Sequence, residues 1–449
     1  MSSATRPAPP ETATAPLPAP LWHDRRFRRF WAGQSISQFG DRISELALPL
    51  IAVGALHASA GQVAALTAVI WTPNLLAVFL GAWVDQQRRK RRLLVLADLI
   101  RAATLATLPI ASLAGHVTMA QLYAVAALTG AAGVLFNNAY PPFFTRLVPP
   151  SRYLDANSRL SASRSASYVA GPAIGGALVQ ALTAPVAVLA DALSFLASAV
   201  LLGRIPVEEA PTGAGRTDGT AEPSMLARAR QGLLFIARHP VLRACLGCCA
   251  TVNFFTFVSS GLLVLFAGRT LGLPAGTIGL ALGVGATGGL LGAVLAPRLS
   301  RRLGVGRGVA LGAVLFPAPI ALAALASGPP TARAGALAAA EFLSGAGLML
   351  FDINLNSLQA AIIPDGLRSR VSGAFSTVNY GIRPLGALLG GLLATTVGVR
   401  AALIVAAVGG SLSLLWVLAS PIPGIRELPA PAPAREVQGA QGAQGAQES

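Results

Sequence analysis

Long apolar runs recur along this chain and leave it few possible folds. Each is about 20 residues long, enough for a helix to cross a hydrocarbon core of roughly 30 Å. Only 12% of the residues are charged, whereas soluble domains have about a quarter. The pattern predicts an all-α integral membrane protein with many spans.

A polar segment from Gly203 to Glu222 divides the apolar runs into two sets of six. The twelve predicted spans cover residues 31–56, 62–84, 93–114, 119–142, 160–182, 184–202, 241–267, 275–297, 308–327, 334–358, 371–393 and 401–419. The predicted domains are a disordered tail (1–24), a six-helix bundle (25–204), a cytoplasmic linker (205–240), a second bundle (241–421) and a disordered tail (422–449). Within the linker, Ser224–Pro240 has apolar residues at helical spacing with arginines between them, which predicts an amphipathic helix on the inner leaflet.

The connection between the second and third runs, Gly81–Arg92, contains five consecutive cations. Cations are difficult to move across a bilayer, so this loop is predicted to be cytoplasmic. We place 27 of the 34 Lys and Arg residues in the tails and alternate loops, which predicts both termini in the cytoplasm and a location in the cell membrane. The net charge of +16 therefore indicates contact with anionic lipid rather than nucleic acid.

Five residues of the first half recur in the second half at a constant offset of 215 positions. Phe136, Pro149, Gly171, Gly175 and Gly176 match Phe351, Pro364, Gly386, Gly390 and Gly391. Parallel repeats related by an axis along the membrane normal occur in one large transporter architecture. The chain is therefore predicted to form two pseudo-symmetric six-helix bundles.

The basic loop also carries specific residue types at specific spacings, which are Gly81, Asp85, Arg89 and Lys90. A glycine one turn before the helix end allows another helix to approach closely. The segment resembles the G-x-x-x-D-R-x-G-R-[RK] loop of the major facilitator superfamily (MFS). It departs from that pattern at Gln86 and Arg88. A plain cytoplasmic basic loop is the alternative interpretation.

The fifth run contains the sequence SYVAGPAIGGAL, with Gly171, Pro172, Gly175 and Gly176. Proline removes a backbone donor and kinks a helix, and the glycines allow close packing at the bend. This resembles the antiporter signature G-x-x-x-G-P-x-x-G-G of drug exporters, with Ser167 in place of the leading glycine. Tight helix packing without a transport role is the alternative.

Within the superfamily, the chain resembles most the branch of macrolide-efflux and enterobactin-exporter proteins. The resemblance rests on LWHDRRFRRFWAGQSISQFGD, LDANSRL, DALSF and GLLFIARHPVLR. It implies a proton-coupled exporter of a small amphipathic molecule, with two helical halves that rock to alternate access. It also implies that the basic loop holds the cytoplasmic gate, with Asp85 and Arg89 changing partners between states.

Charged residues inside membrane spans are rare and usually functional. The first span carries Gln38, Asp41, Arg42 and Glu45, and Asp41 lies about 15 Å deep at 1.5 Å per residue. We expect Asp41 or Glu45 to take up a proton, and a structural salt bridge with Arg42 is an equally supported alternative. Further cavity candidates are Arg164, Asp191, Glu341, Asp352 and Arg383. Asp98 and Arg101, three residues apart, are predicted to form a structural pair.

Other function classes lack the residues they need. Lys90 is the only lysine, so no phosphate-binding GxxxxGK[ST] loop can form. The three cysteines, Cys245, Cys248 and Cys249, are not joined by a histidine or a further cysteine and are predicted to be packing residues. No enzyme activity, metal or cofactor is expected, and the expected partners are the lipid bilayer, protons and a small-molecule substrate, with the protein a monomer. A uniporter or importer of a polar metabolite is the alternative, and a membrane scaffold is the third class.

Overall fold

The computed structural model describes residues 21–206, 225–364 and 367–427, and every regular element in these ranges is helical. Residues 1–20 and 428–449 of the predicted tails, and residues 207–224 of the predicted linker, lie outside these ranges. The parts of the tails that are described include 3-10 turns at Leu21–His23 and Ile422–Gly424.

The first half contains seven helices that make six spans. They are α1 (Arg25–Leu50), α2 (Ala60–Trp71), α3 (Ala77–Gln86), α4 (Lys90–Leu113), α5 (Met119–Leu147), α6 (Tyr153–Leu182) and α7 (Ala184–Gly203). A π-helical turn at Ile51–Ala55 extends α1. A 3-10 turn at Thr72–Leu76 joins α2 to α3, because Pro73 cannot donate the backbone hydrogen bond that a continuous helix needs. The second span is therefore interrupted, whereas the sequence predicted a continuous one.

The second half repeats the arrangement after the amphipathic helix α8 (Met225–Arg238). Its helices are α9 (Pro240–Arg269), α10 (Ala275–Leu303), α11 (Val305–Leu315), α12 (Ile320–Ala324), α13 (Pro330–Ile362), α14 (Arg368–Thr396), α15 (Val399–Ser411) and α16 (Leu414–Leu418). The ninth span is broken between α11 and α12, where Pro317 and Pro319 interrupt the backbone ladder. With α15 and α16 as one span, the described chain has the predicted twelve spans.

Eight of these spans are long and apolar enough to be recognised as membrane-crossing by length and composition. The remaining four contain α1, α2 with α3, α6 and α14. They are more polar or interrupted, and they pack against neighbouring helices of the bundle: α1 against α6 and α7, α6 also against α10, and α14 against α2 and α9. The less apolar spans of both halves are therefore packed against other helices of the bundle.

The clusters of buried apolar residues differ between the two ends of the bundle. We call the end with the α3–α4 connection the basic end and the opposite end the distal end. At the distal end one cluster contains residues of both halves, including Ile51 and Leu66 of the first and Phe266 of the second. At the basic end each half has its own cluster, around Phe30 in the first and Leu242 in the second. The halves are thus joined at the distal end and separate at the basic end.

The glycines of the internal repeat make equivalent contacts in the two halves. Gly171 packs on Arg42 and Gly175 on Ile43 of α1. In the second half Gly386 packs on Phe257 and Gly390 on Val258 of α9. All of these contacts are related by the offset of 215, which confirms the repeat predicted from the sequence.

Helix α8 lies at the basic end against the start of α14. The Arg370 guanidinium donates to Gln231 Oε1 over 2.9 Å, and Gly232 allows the close approach to the Arg370 carbonyl. Leu233 and Leu234 remain about half exposed. The predicted helix is therefore present, and its contact with the inner leaflet stays a prediction.

Candidate functional site

A cavity of about 1220 Å³ lies between the two halves, near the middle of the bundle. Its walls include residues of α1, α4, α5 and α7 from the first half, and of α9, α13 and α14 from the second. Because the halves are packed together at the distal end and separate at the basic end, the cavity is accessible from the basic end. The site is therefore a central chamber with one closed end.

Helix α1 contributes the charged group that the sequence singled out. Asp41, Arg42 and Glu45 all line the cavity, and the Arg42 guanidinium forms an ion pair with the Glu45 carboxylate. The same guanidinium lies 4.3 Å from the centre of the Tyr168 ring on α6, a distance suited to a cation–π contact. Gly171 makes room for the Arg42 stem. Glu45 is thus neutralised locally, which leaves Asp41 as the acid of α1 outside that pair.

Three carboxylates of the first half converge deep in the wall. Asp191 of α7 lines the cavity and accepts hydrogen bonds from Ser44 and, at 3.1 Å, from Ser194. Asp98 of α4 is almost fully buried, and neither of its oxygens has a hydrogen-bond partner among the described residues. Asp98 and Asp191 each lie within electrostatic range of Asp41.

Arg101 is the cation that these three carboxylates share. Its guanidinium is 4.0 Å from Asp98 Oδ1, and it exerts an electrostatic effect on Asp41 and Asp191 as well. The rings of Phe136 and Phe195 lie 5.4 and 4.9 Å from its Cζ. The sequence predicted only a local Asp98–Arg101 pair. Its wider role was missed, because the facing of α1 and α7 toward α4 cannot be deduced from one sequence.

Glycines explain how these side chains come together. A Cβ at Gly40 would overlap Asp191 and Ser194, and one at Gly33 would come within 3.3 Å of Ser198 Oγ. Gly33 and Gly40 are seven residues apart, so both lie on the face of α1 that packs against α7. Their missing side chains allow α1 to approach α7 closely enough to place Asp41 near Asp191.

Other predicted site residues lie outside the cavity wall. Gln38 is half-buried one turn before Asp41, and its Oε1 has no hydrogen-bond partner among the described residues. Arg164 is exposed and lies near Tyr140. Asp352 is half-buried and lies near Cys249, far along α13 from the cavity-lining Glu341. None of these three residues lines the cavity with Asp41, although Gln38 is its neighbour on α1.

Arg383 lies just behind the wall of the second half. Its guanidinium is within 4.3, 4.9 and 4.5 Å of the ring centres of Trp71, Phe257 and Tyr380, and all three rings line the cavity. The positions 257 and 383 are the repeat equivalents of 42 and 168. The cation–aromatic contact of the first half thus recurs in the second, with the two residue types exchanged between the helices.

The residues of the basic loop have separate environments. Gly81 lines the cavity and faces Asn138, whose amide donates to the Val134 carbonyl. Lys90 is buried, and its ammonium donates to the Val84 carbonyl at the end of α3. Arg89 is exposed, and the side chain of Asp85 is outside the described part of the structure. That Asp85 and Arg89 change partners between conformational states stays a prediction.

The glycines of the antiporter-like motif contact both halves. Gly171 and Gly175 face α1, whereas Gly176 faces Gly276 and Gly279 of α10. On the next turn, Gln180 accepts a hydrogen bond from the Gly276 amide at 3.0 Å. The Pro172 carbonyl also lies where a Cβ on Gly279 would be. We call the contact between α6 and α10 the α6–α10 seam. The motif thus joins the acidic helix of the first half to the opposite half.

Comparison with known protein families gives a match over nearly the whole chain. The Major Facilitator Superfamily profile matches residues 30–386 and again residues 246–445. The multidrug efflux pump Tap of Mycolicibacterium fortuitum is 29% identical over 413 residues, covering 87% of this chain and 93% of the relative. YfiS of Bacillus subtilis strain 168, an uncharacterised MFS-type transporter, is 26% identical over 385 residues, covering 83% and 88%.

Solved structures agree in fold. A bacterial homologue of the iron transporter ferroportin in an inward-facing state gives a TM-score of 0.69 at 19% identity, covering 88% of this chain and 98% of that protein. The outward-facing state of such a homologue gives 0.54 over the same shares.

Proposed function

This chain belongs to the major facilitator superfamily and is a multi-pass membrane transporter of that family, and we propose that it exports small amphipathic molecules in exchange for protons. Access to the central cavity would alternate as the two halves rock about their contacts. The proposal goes beyond family membership in three respects, which are the direction of transport, the coupling ion and the substrate class.

The single observation that carries proton coupling is the ratio of acids to cations in the wall of the first half. Asp41, Asp98 and Asp191 share the guanidinium of Arg101, and Arg42, the other cation that acts on Asp41, already forms an ion pair with Glu45. Ionised carboxylates in a poorly solvated site require compensation. A site with excess carboxylates therefore exchanges protons readily. Asp41 and Asp191 both line the chamber, and Asp191 already accepts hydrogen bonds from Ser44 and Ser194, so Asp41 is the acid that we propose receives the proton.

The orientation follows from the basic loop. If the α3–α4 connection is cytoplasmic, as its five cations favour, the cavity is open to the cytoplasm in this conformation. Substrate would then enter from the cytoplasm or inner leaflet, and both termini would be cytoplasmic. In the opposite conformation the basic end closes, and Gly81, Asp85, Arg89 and Lys90 would hold that closure.

Export, and drug-like substrates, are supported by the similarity to proteins named as multidrug efflux pumps. The antiporter-like motif supports the same direction, because it resembles the signature of drug exporters. Its glycines face α1 of the first half and α10 of the second half. An amphipathic substrate also fits a wall that combines aromatic rings with a few charges.

The experiment that tests the proposal measures coupled fluxes in proteoliposomes. The purified protein would be reconstituted with a pH-sensitive dye inside, and amphipathic compounds would be added in the presence of an imposed proton gradient. We expect substrate movement opposite to proton movement, and we expect Asp41→Asn to abolish the proton flux. Asp155→Asn is the matched control, because Asp155 pairs with Arg159 at the surface. Substrate movement with no proton flux in the wild type would contradict the antiport mechanism.

A further inference from the structure

The wall of the second half contains an acidic residue that the proton site described above does not use. Glu341 and Ser344, one turn apart on α13, both line the central cavity. Glu341 is half-buried and makes no hydrogen bond or ion pair within the described ranges. Ser344 is 8% exposed, and its hydroxyl has no partner there either. Two neighbouring polar side chains thus face the chamber without a partner in the part of the chain that the structure describes.

The position of Glu341 is fixed by close helix packing. A Cβ on Gly285 of α10 would come within 3.0 Å of Glu341 Cβ, and Gly288 and Gly292 allow equally close contact with Phe342 and Ala346. Contacts of this kind let two backbones pack tightly in a membrane. Since α13 is held against α10 along this face, the two polar side chains are presented to the cavity by a rigid element.

The remaining carboxylates of the cavity wall differ from Glu341 because each interacts with groups of its own half. Glu45 pairs with Arg42, and Asp191 accepts hydrogen bonds from two serines. Asp41 interacts with Arg42 and Arg101. No described cation exerts a comparable effect on Glu341. A carboxylate at a chamber wall inside a membrane requires a counter-charge, and here none of the described residues supplies it.

The surroundings indicate what kind of cation fits. The described charges that line the cavity are four acids and two arginines, namely Asp41, Glu45, Asp191 and Glu341 with Arg42 and Arg101. Aromatic rings of the second half, including Phe255, Phe316 and Tyr380, line the same chamber. Aromatic faces attract cations and accommodate apolar bodies. The chamber is therefore suited to an organic cation with an apolar body.

We propose that Glu341 and Ser344 form a binding subsite for the protonated amine of an amphipathic substrate. The ammonium group pairs with the Glu341 carboxylate and donates a hydrogen bond to the Ser344 hydroxyl, while the apolar body packs against the aromatic wall. This subsite rests on the proposed transport function and names its substrate class. It assigns substrate recognition to the second half, separate from the acids of the first half.

The test compares two ligands that share a fluorescent body and differ at one end, where one carries a charged amine and the other a neutral amide. N-dansylcadaverine carries a primary amine, and its N-acetyl derivative is neutral with the same fluorescent body. Binding to the full-length protein in lipid nanodiscs would be followed by dansyl fluorescence. We expect the wild type to bind the amine at least tenfold more tightly than the acetyl derivative. Glu341→Gln should abolish that preference and leave binding of the neutral ligand unchanged. Ser344→Ala should weaken amine binding several-fold, and the surface variant Asp155→Asn should match the wild type.

Three outcomes would overturn the subsite. In the first, the wild type binds the amine no more tightly than the acetyl derivative. In the second, the amine preference survives Glu341→Gln. In the third, that variant loses affinity for both ligands equally, which would indicate a packing role. Transport assays separate this inference from the proposed function. Export of neutral compounds by a protein without amine preference would refute the subsite alone. Amine preference that depends on Glu341 in a protein without export would refute the transport direction alone.

Discussion

At the residue scale, the polar interior of the first half depends on Arg101. Its guanidinium lies between Asp98 and the rings of Phe136 and Phe195, and it also acts on the two other carboxylates of the wall. Gly133 of α5 provides the space, because a Cβ there would come within 2.9 Å of the guanidinium. One cation thus compensates acids from three helices.

Replacement of Arg101 by glutamine should destabilise the protein strongly. Removing one partner of a buried ion pair usually costs about 3–5 kcal/mol, because the opposite charge stays buried and uncompensated. Adding Asp98→Asn to Arg101→Gln removes one of the acids and should recover part of the loss. Thermal unfolding of the variants in detergent measures both effects. A double variant no more stable than Arg101→Gln would show that Asp98 does not depend on this cation.

The sequence predicted that the charges of α1 lie near the membrane midplane, and the structure places Asp41, Arg42 and Glu45 at a central cavity. It could not decide between a proton site and a salt bridge, because that depends on which neighbours each side chain meets. The structure shows the contact of Arg42 with Glu45 within α1, and that of Asp191 with Ser44, which depends on how α7 and α1 rotate and approach each other. Spacing along one helix suggested the first contact, but no local pattern indicates the second.

At the element scale, the two halves are held together by equivalent glycine contacts. Gly176 of α6 faces Gly276 and Gly279 of α10, and Gly391 of α14 faces Gly61 and Ala64 of α2. The partners in the two contacts are again 215 residues apart. Small residues on both sides permit direct backbone packing. These two seams are the places where the halves can separate when the distal end opens.

A large side chain in the α6–α10 seam should weaken the junction. In Gly279→Leu the new Cβ would overlap the Pro172 carbonyl and the Gly176 backbone. Overpacking of this kind costs about 1–3 kcal/mol, so the thermal midpoint in detergent should fall and the basic-end-open form should become less populated. Gly335→Leu in α13 is the control, since nothing lies within 4 Å of a Cβ at that glycine. Equal midpoints for the two variants would argue against tight packing at the seam.

Element boundaries illustrate what sequence patterns can and cannot predict. The number of spans and the amphipathic helix followed from apolar runs and helical spacing. The interruptions of the second and ninth spans, at Thr72–Leu76 and between Leu315 and Ile320, did not. Proline marks both places, but many membrane helices contain proline without breaking, as Pro172 in α6 and Pro384 in α14 show. Tertiary packing decides which prolines interrupt a helix.

At the scale of the whole molecule, the distal end is a single hydrophobic junction of both halves. The distal end also has a polar contact between the halves, in which the Arg269 guanidinium of α9 donates to the Val53 carbonyl of the first half over 3.0 Å. Thr67 of α2 and Gly261 of α9 also meet across the junction. Any cycle that exposes the cavity at the distal end must break these contacts.

A disulfide across this junction should therefore stop transport. A Cβ built on Gly261 lies 3.5 Å from the Thr67 Cβ, within the range for a disulfide. Thr67→Cys combined with Gly261→Cys, in a background with the three native cysteines replaced by serine, should cross-link on oxidation. We expect transport to cease in the oxidised protein and to recover after reduction. Each single cysteine variant is the control, and continued transport by fully cross-linked protein would contradict the rocking mechanism.

Lys90 can report movement of the basic loop, because it is buried there. It is the only lysine in the chain, it is 4% exposed, and its ammonium is bound to the Val84 carbonyl at the α3–α4 connection. Apart from the α-amino group, amine-directed reagents therefore have one target in the entire molecule. The rate at which that target is acylated would measure, without any engineered label, how often the basic loop rearranges during turnover.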